Sequence, residues 1–202
     1  MLSGLNLLPN NKIASIDGRR RRSERSKQAI IDAVVDMINE GELFLTAAQV
    51  SQRAGVGLRT VFRHFSDMNT LFTLFNEDRR PHYRAMFEEG GDRTGALENR
   101  IVALAEFRAV RWEDLTSVMR FSVAQRRRYK ALSDNYADYQ HGLLEDLKTW
   151  LPELSQQEPV ILEAVVGVCS FEYWDRLRDL LGLSVEDATA AVILCLRRLL
   201  LV

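Results

Sequence analysis

A twenty-residue stretch, TAAQVSQRAGVGLRTVFRHF over residues 46–65, constrains this chain more than any other. It reads as two short helices joined by a tight turn. Thr46 is placed to cap the first helix, its hydroxyl accepting from a free backbone N–H of the first turn. Ala47, Val50 and Ala54 recur at helical spacing and give that helix a small apolar face. Gly55 follows where a left-handed residue ends a helix, a conformation glycine adopts without a Cβ penalty. Val56 plugs the angle between the helices, and Gly57 opens a second helix that holds Thr60, Phe62 and His64. This order is that of a helix-turn-helix.

A helix that reads DNA needs side chains able to reach phosphates and base edges. Arg59, Thr60, Arg63 and His64 give the second helix a donor-rich surface, with Leu58 beside Arg59 as an expected base reader, whereas Val61 and Phe65 face inward. Arg59 has the forked donors that pair with a guanine edge, and Phe62 suits a thymine methyl. Thr46, Thr60 and His64 are the expected phosphate contacts, with the backbone at Gly57 beside them.

The stretch resembles the DNA-binding domain of the TetR family of bacterial transcription regulators. The match lies at Thr46, Ala54, Gly55, Val56, Thr60, His64 and Phe65. Three positions depart from that family's pattern. Gly57 stands in place of a Ser or Thr cap, Phe62 in place of Tyr, and Met68 in place of a phosphate-touching Lys. The resemblance implies an all-α chain of about nine helices. A three-helix DNA-binding head would span residues 23–66, and a regulatory and dimerisation body residues 67–202. It also implies a helix after residue 66 that couples body to head, and a homodimer on a near-palindromic operator.

Charge supports a nucleic-acid contact confined to one end. The formal net charge of the 202 residues is only −1. Residues 1–66 nevertheless carry ten Lys and Arg against six Asp and Glu, or +4, and residues 67–202 carry seventeen against twenty-two, or −5. A basic head on an acidic body fits duplex DNA as a partner. Part of that charge is the run Arg19, Arg20, Arg21 and Arg22. Residues 1–22 read as a flexible arm that lays this run on phosphates or in the adjacent minor groove. A second run, Arg126 to Arg128, lies in the acidic body and reads as a solvated helix end.

The rest of the chain is helical by periodicity. Ser23 to Glu40 has apolar residues at three- and four-residue spacing from Ala29 to Ile38. Residues 67–87 read as a helix that Pro81 kinks or bounds. Helices are expected over 96–111, 113–131, 134–151, 158–181 and from Ser184 onward. The last two are apolar nearly all round, which requires burial on two sides. Val165, Val168, Ala188, Val192, Cys195, Leu196 and Leu199 are therefore the expected dimer interface, and the resemblance implies a four-helix bundle there.

The body is rich in aromatics. Phe107, Trp112, Phe121, Tyr136, Tyr139, Phe171 and Trp174 read either as plain core or as the wall of a pocket for a small hydrophobic or aromatic effector. A hollow interior would favour an effector. A filled one would favour a DNA-bound module that recruits a protein partner. An enzyme is the least favoured class: His64, His82 and His141 are isolated, and phosphate-loop, Gly-x-Ser-x-Gly and HExxH motifs are absent. No cofactor and no metal are expected. Cys169 and Cys195 lack CxxC spacing and read as buried thiols. No apolar run reaches the ~18 residues that span a bilayer, so no membrane contact and a cytoplasmic setting are expected.

Overall fold

The computed structural model describes residues 11–201. Among these residues the chain is helical throughout, with nine α-helices and no strand. The helices are α1 (Asn11–Asn39), α2 (Ala47–Arg53), α3 (Leu58–His64), α4 (Met68–Glu88), α5 (Leu97–Gln125), α6 (Lys130–Trp150), α7 (Pro159–Cys169), α8 (Phe171–Asp175) and α9 (Val185–Leu200). A 3-10 turn at Pro152–Gln156 follows α6, and a π-helical turn at Arg176–Leu180 extends α8.

Helix α1 is longer than periodicity indicates. The Arg19–Arg22 run expected in a flexible arm lies within it, and Ser23 sits inside the helix rather than at its start. No apolar stripe marks this segment, but Arg is a good helix former and no proline interrupts residues 11–39. Side chains also bind the preceding turn: Arg22 Nε donates to the Gly18 carbonyl at 3.2 Å, and Ser26 Oγ to the Arg22 carbonyl at 2.9 Å. Residues 1–10 of the expected arm lie outside the described residues.

Three further boundaries differ from expectation. Helix α4 runs through Pro81, where the missing N–H falls on the exposed side and the freed carbonyl remains open to water. The expected break near residue 112 is absent, so α5 is one helix of 29 residues. The expected 158–181 helix is instead broken at Ser170. Its hydroxyl donates to the Gly167 carbonyl at 2.7 Å and accepts from the Tyr173 amide at 3.3 Å, closing α7 and capping α8.

Two cores form. The head core gathers Ile30, Val34 and Ile38 of α1, Val50 of α2, Val61 of α3, Phe65, and Leu71, Phe72 and Phe75 of α4. The body core is built from α5, α6, α7, α8 and α9 around Trp112, Leu147, Trp150, Val165, Phe171 and Leu196. The expected division at residue 66 is crossed by Leu71, Phe72 and Phe75 of α4 and again further along the chain. Phe121 from the end of α5 and Leu132 from the start of α6, both fully buried, complete the head core. Phe72 meets Phe121 and Tyr129 edge-on, with centroids 5.4 and 4.8 Å apart. The turn joining α5 to α6 is thus part of the head.

Candidate nucleic-acid interface

The helix-turn-helix is built as its residue types require. The Thr46 hydroxyl accepts from the Gln49 amide at 3.3 Å, and the Gln49 side-chain carbonyl accepts from the Thr46 amide at 2.9 Å. This reciprocal capping box fixes the start of α2. Arg53 at its other end forks onto Glu40 at 2.7 and 2.5 Å, tying α2 to the end of α1. The pair is exposed, so it orients more than it stabilises. Gly55 stands at φ 65°, and the Val56 amide returns to the Ser51 carbonyl at 3.1 Å. Leu45 is buried at the entry to α2, but its neighbour Phe44 is 59% exposed and does not pack there.

Helix α3 buries Val61, with Phe65 sealed at its end, and exposes the opposite face. Leu58 is 44% and Phe62 48% exposed, and Arg59 and Arg63 flank them in solvent. This face of α3 thus presents two large apolar side chains and two guanidiniums together to solvent. Gly57 caps α3 by backbone alone. Thr46 is exposed at the start of α2, and Thr60 is half-buried.

His64 ends α3 half-buried, and its Nε2 has no hydrogen-bond partner. Burial draws the imidazole below the usual histidine range. The Arg63 cation adds to this, and Lys27 lowers it further while Glu24 opposes them. Three residues on, the Asp67 side chain caps α4 by accepting from the Thr70 amide at 2.7 Å, which holds its carboxyl below the ordinary range. Arg19, Arg20, Arg21 and Arg22 lie exposed on the projecting part of α1.

The body aromatics pack against one another. Trp112 meets Tyr139 and Phe171 edge-on, with centroids 6.0 and 5.9 Å apart, and Tyr136 meets Tyr139 at 5.4 Å. The Tyr139 hydroxyl accepts from the Phe171 amide at 3.1 Å, and burial pushes that hydroxyl up to about 12. Trp174 Nε1 donates to Glu113 Oε1 at 2.8 Å. Phe107 stacks obliquely on Trp150. Phe121 is not a body residue at all, because α5 carries it into the head core. The void left beside Leu104, Arg108, Trp112, Cys169, Trp174 and Val192 is about 10 Å³. That is room for about one water. Of the seven aromatics expected to line a pocket, Trp112 and Trp174 border this void.

Charged groups line the same core. Buried Arg108 binds Asp146 at 2.5 Å, and buried Arg100 pairs with Glu153 and donates to the Trp150 carbonyl at 2.8 Å. Burial pushes the Cys169 thiol up to about 12, so it is inert as a nucleophile. Cys195 is only half-buried, with Sγ 3.6 Å from the Tyr173 hydroxyl.

The expected dimer residues divide. Val165, Ala188, Val192 and Leu196 point into the subunit's own core and cannot line a face between subunits. Helical periodicity was sound, but it marked the inner stripe. Val168, Cys195 and Leu199 lie half-buried. The outer stripe, which the near-uniform apolarity concealed, carries Val160 on α7 at 67% exposure and Leu194 on α9 at 56%.

A helix-turn-helix head fused through a long helix to an all-helical body is the TetR-like fold. A solved structure that shares it is the multidrug binding protein EbrR complexed with imidazole, with a TM-score of 0.56 and 20% sequence identity over 89% of each chain. No protein-family model and no curated protein matches the sequence. Among the described residues, no helix is long and apolar enough to cross a membrane.

Proposed function

We propose that this protein is a sequence-specific DNA-binding transcriptional regulator that acts as a homodimer on a near-palindromic operator. The observation that carries the reading is the outer face of α3. Leu58, Arg59, Phe62 and Arg63 stand in solvent over buried Val61, at the tip of a capped helix-turn-helix. Arg59 forks onto a guanine, and Leu58 and Phe62 touch base edges or thymine methyls. Thr46, Thr60 and His64 hold phosphates, and the Arg19–Arg22 run adds phosphate contacts from α1. Two copies pair across the Val160–Leu194 face of α7 and α9, and this sets the spacing of the two heads. EbrR, described as a multidrug binding protein complexed with imidazole, is similar in fold and supports a body that takes a small molecule.

Regulation is by repression, relieved when a small hydrophobic or aromatic effector enters the body and shifts the population of dimer geometries. A second reading draws on the small void beside Trp112 and Trp174, about 10 Å³: in it the body takes up no effector and recruits a protein partner to DNA. Thermal stability measured across a panel of aromatic compounds separates the two, since a ligand of the folded state raises Tm.

Selection of bound fragments from random DNA tests the main reading. Recovery of an inverted repeat supports it, and recovery of no sequence above background overturns it. Arg59→Ala should relax preference at one base position in each half-site, whereas equal weakening on every sequence would reduce Arg59 to a backbone contact.

A further inference from the structure

We infer that the turn joining α5 to α6 is a second DNA-contact surface, supplied by the body and held beside the head, with Arg127 and Arg128 meeting backbone phosphates. The inference rests on the DNA-binding reading above and extends the interface beyond the helix-turn-helix.

The charge comes first. Between Asp114 and Asp134 the chain carries five cations, Arg120, Arg126, Arg127, Arg128 and Lys130, and no carboxylate. Such a stretch stands out in a body whose net charge is −5. Arg120 is committed to Asp175 at 2.7 Å and Asp179 at 2.8 Å, and Lys130 to Asp134 at 2.5 Å. Arg126 lies half-buried with its guanidinium 4.2 Å over the Tyr136 ring. Arg127 and Arg128 are exposed and form no ion pair among the described residues. Two adjacent guanidiniums without counter-charges repel each other unless an anion lies between or beyond them.

Placement comes second. The Asn69 side-chain oxygen accepts from the Ala131 amide at 2.9 Å, and Asn76 Nδ2 donates to the Ala131 carbonyl at 3.1 Å. Phe72 packs on Tyr129 between them. These contacts lock the turn onto the first two turns of α4. Asn69 follows the end of α3 so closely that chain geometry keeps it within about 18 Å of His64. The turn is therefore anchored on α4, the helix that directly follows α3, and not at the far side of the body. Duplex DNA is the anion that extends past that end with a phosphate every few ångströms.

A contact of this kind is electrostatic and blind to sequence. The test is fluorescence anisotropy of the full chain on a selected fragment, across a series of salt concentrations. Wild type is compared with R127A/R128A, R127K/R128K and the control R84A, whose exposed arginine pairs with Glu88. Each phosphate contact removed lowers the slope of log K against log salt by about 0.9. The slope of R127A/R128A should therefore fall by about 2–4 in a dimer, with affinity reduced by about the same factor on every sequence bound. R127K/R128K should keep the wild-type slope, and R84A should match wild type. An unchanged slope in R127A/R128A, or an equal loss in R127K/R128K, overturns the inference and leaves the helix-turn-helix reading standing. Failure of wild type itself to bind DNA overturns both.

Discussion

Asn76 donates from its side-chain amide to the carbonyl of Ala131 at 3.1 Å, across 55 residues of sequence. Asn69, two turns earlier on α4, takes the Ala131 amide. Both backbone polar groups of one body residue are thus clasped by α4. Around this clasp, Phe121 and Leu132 enter the head core. Head and body are fastened here.

Asn76→Ala removes a side-chain hydrogen bond to the half-buried Ala131 carbonyl, which costs about 0.5–1.5 kcal/mol. Phe121→Ala opens a cavity in the head core and costs about 3–5 kcal/mol, although Phe121 belongs to a body helix. Urea denaturation checks both. A head that melts separately from the body in N76A would show that the clasp holds them as one unit. A single unshifted transition in both variants would refute the coupling.

Gly91 stands at φ 74° against the fully buried ring of Trp150, and an added methyl would overlap the ring. The turn after α4 closes the body core at this point. Gly91→Ala combines left-handed strain with overpacking, about 1–3 kcal/mol together. Tm should fall by about 2–4 °C per kcal/mol lost. A Tm equal to wild type, with unchanged tryptophan fluorescence, would contradict this packing.

His64 predicts a pH dependence with a definite sign. The folded state holds its pKa below the ordinary 6.5, chiefly by burial. The unfolded chain therefore binds more protons just below pH 6.5, and stability rises with pH through that window. The contribution is lost on the acid side, as protonation forces a charge onto a half-buried ring. The denaturation midpoint of wild type should climb from about pH 5.5 to about pH 7 more steeply than that of His64→Gln. Parallel profiles would exclude a role for this imidazole.

Val160 and Leu194 are the outward apolar residues of α7 and α9. Leu194→Glu should convert a dimer to a monomer in sedimentation while leaving the fold intact, because the side chain does not enter the core. Val192→Glu should instead unfold the body, since Val192 is 6% exposed. If L194E sediments as wild type, the two copies do not pair on this face.

Much of this was legible in the residues, for reasons of local chemistry. The Thr46–Gln49 box, the left-handed Gly55 and inward Val61 and Phe65 each depend on neighbours within a few positions. Three features were not legible. Helix α1 extends back to Asn11 because arginines sustain a helix without an apolar stripe. Phe121 serves the head only because α5 is unbroken and long enough to reach it. On α7 the apolar residues run nearly all round, and on α9 the outward face mixes Ala190 and Leu194 with Glu186, Asp187, Arg197 and Arg198, so the apolar residues alone did not separate the stripe buried in the subunit from those left outside. Val165 and Val192 went inward, and Val160 and Leu194 stayed exposed.

The most direct test of the account is hydroxyl-radical footprinting of the full chain on a DNA fragment recovered by selection. The account predicts two protected patches on one face of the duplex, centred about one helical turn or more apart. Both should weaken together in L194E. A single patch, or none at low salt and micromolar protein, would contradict a paired helix-turn-helix.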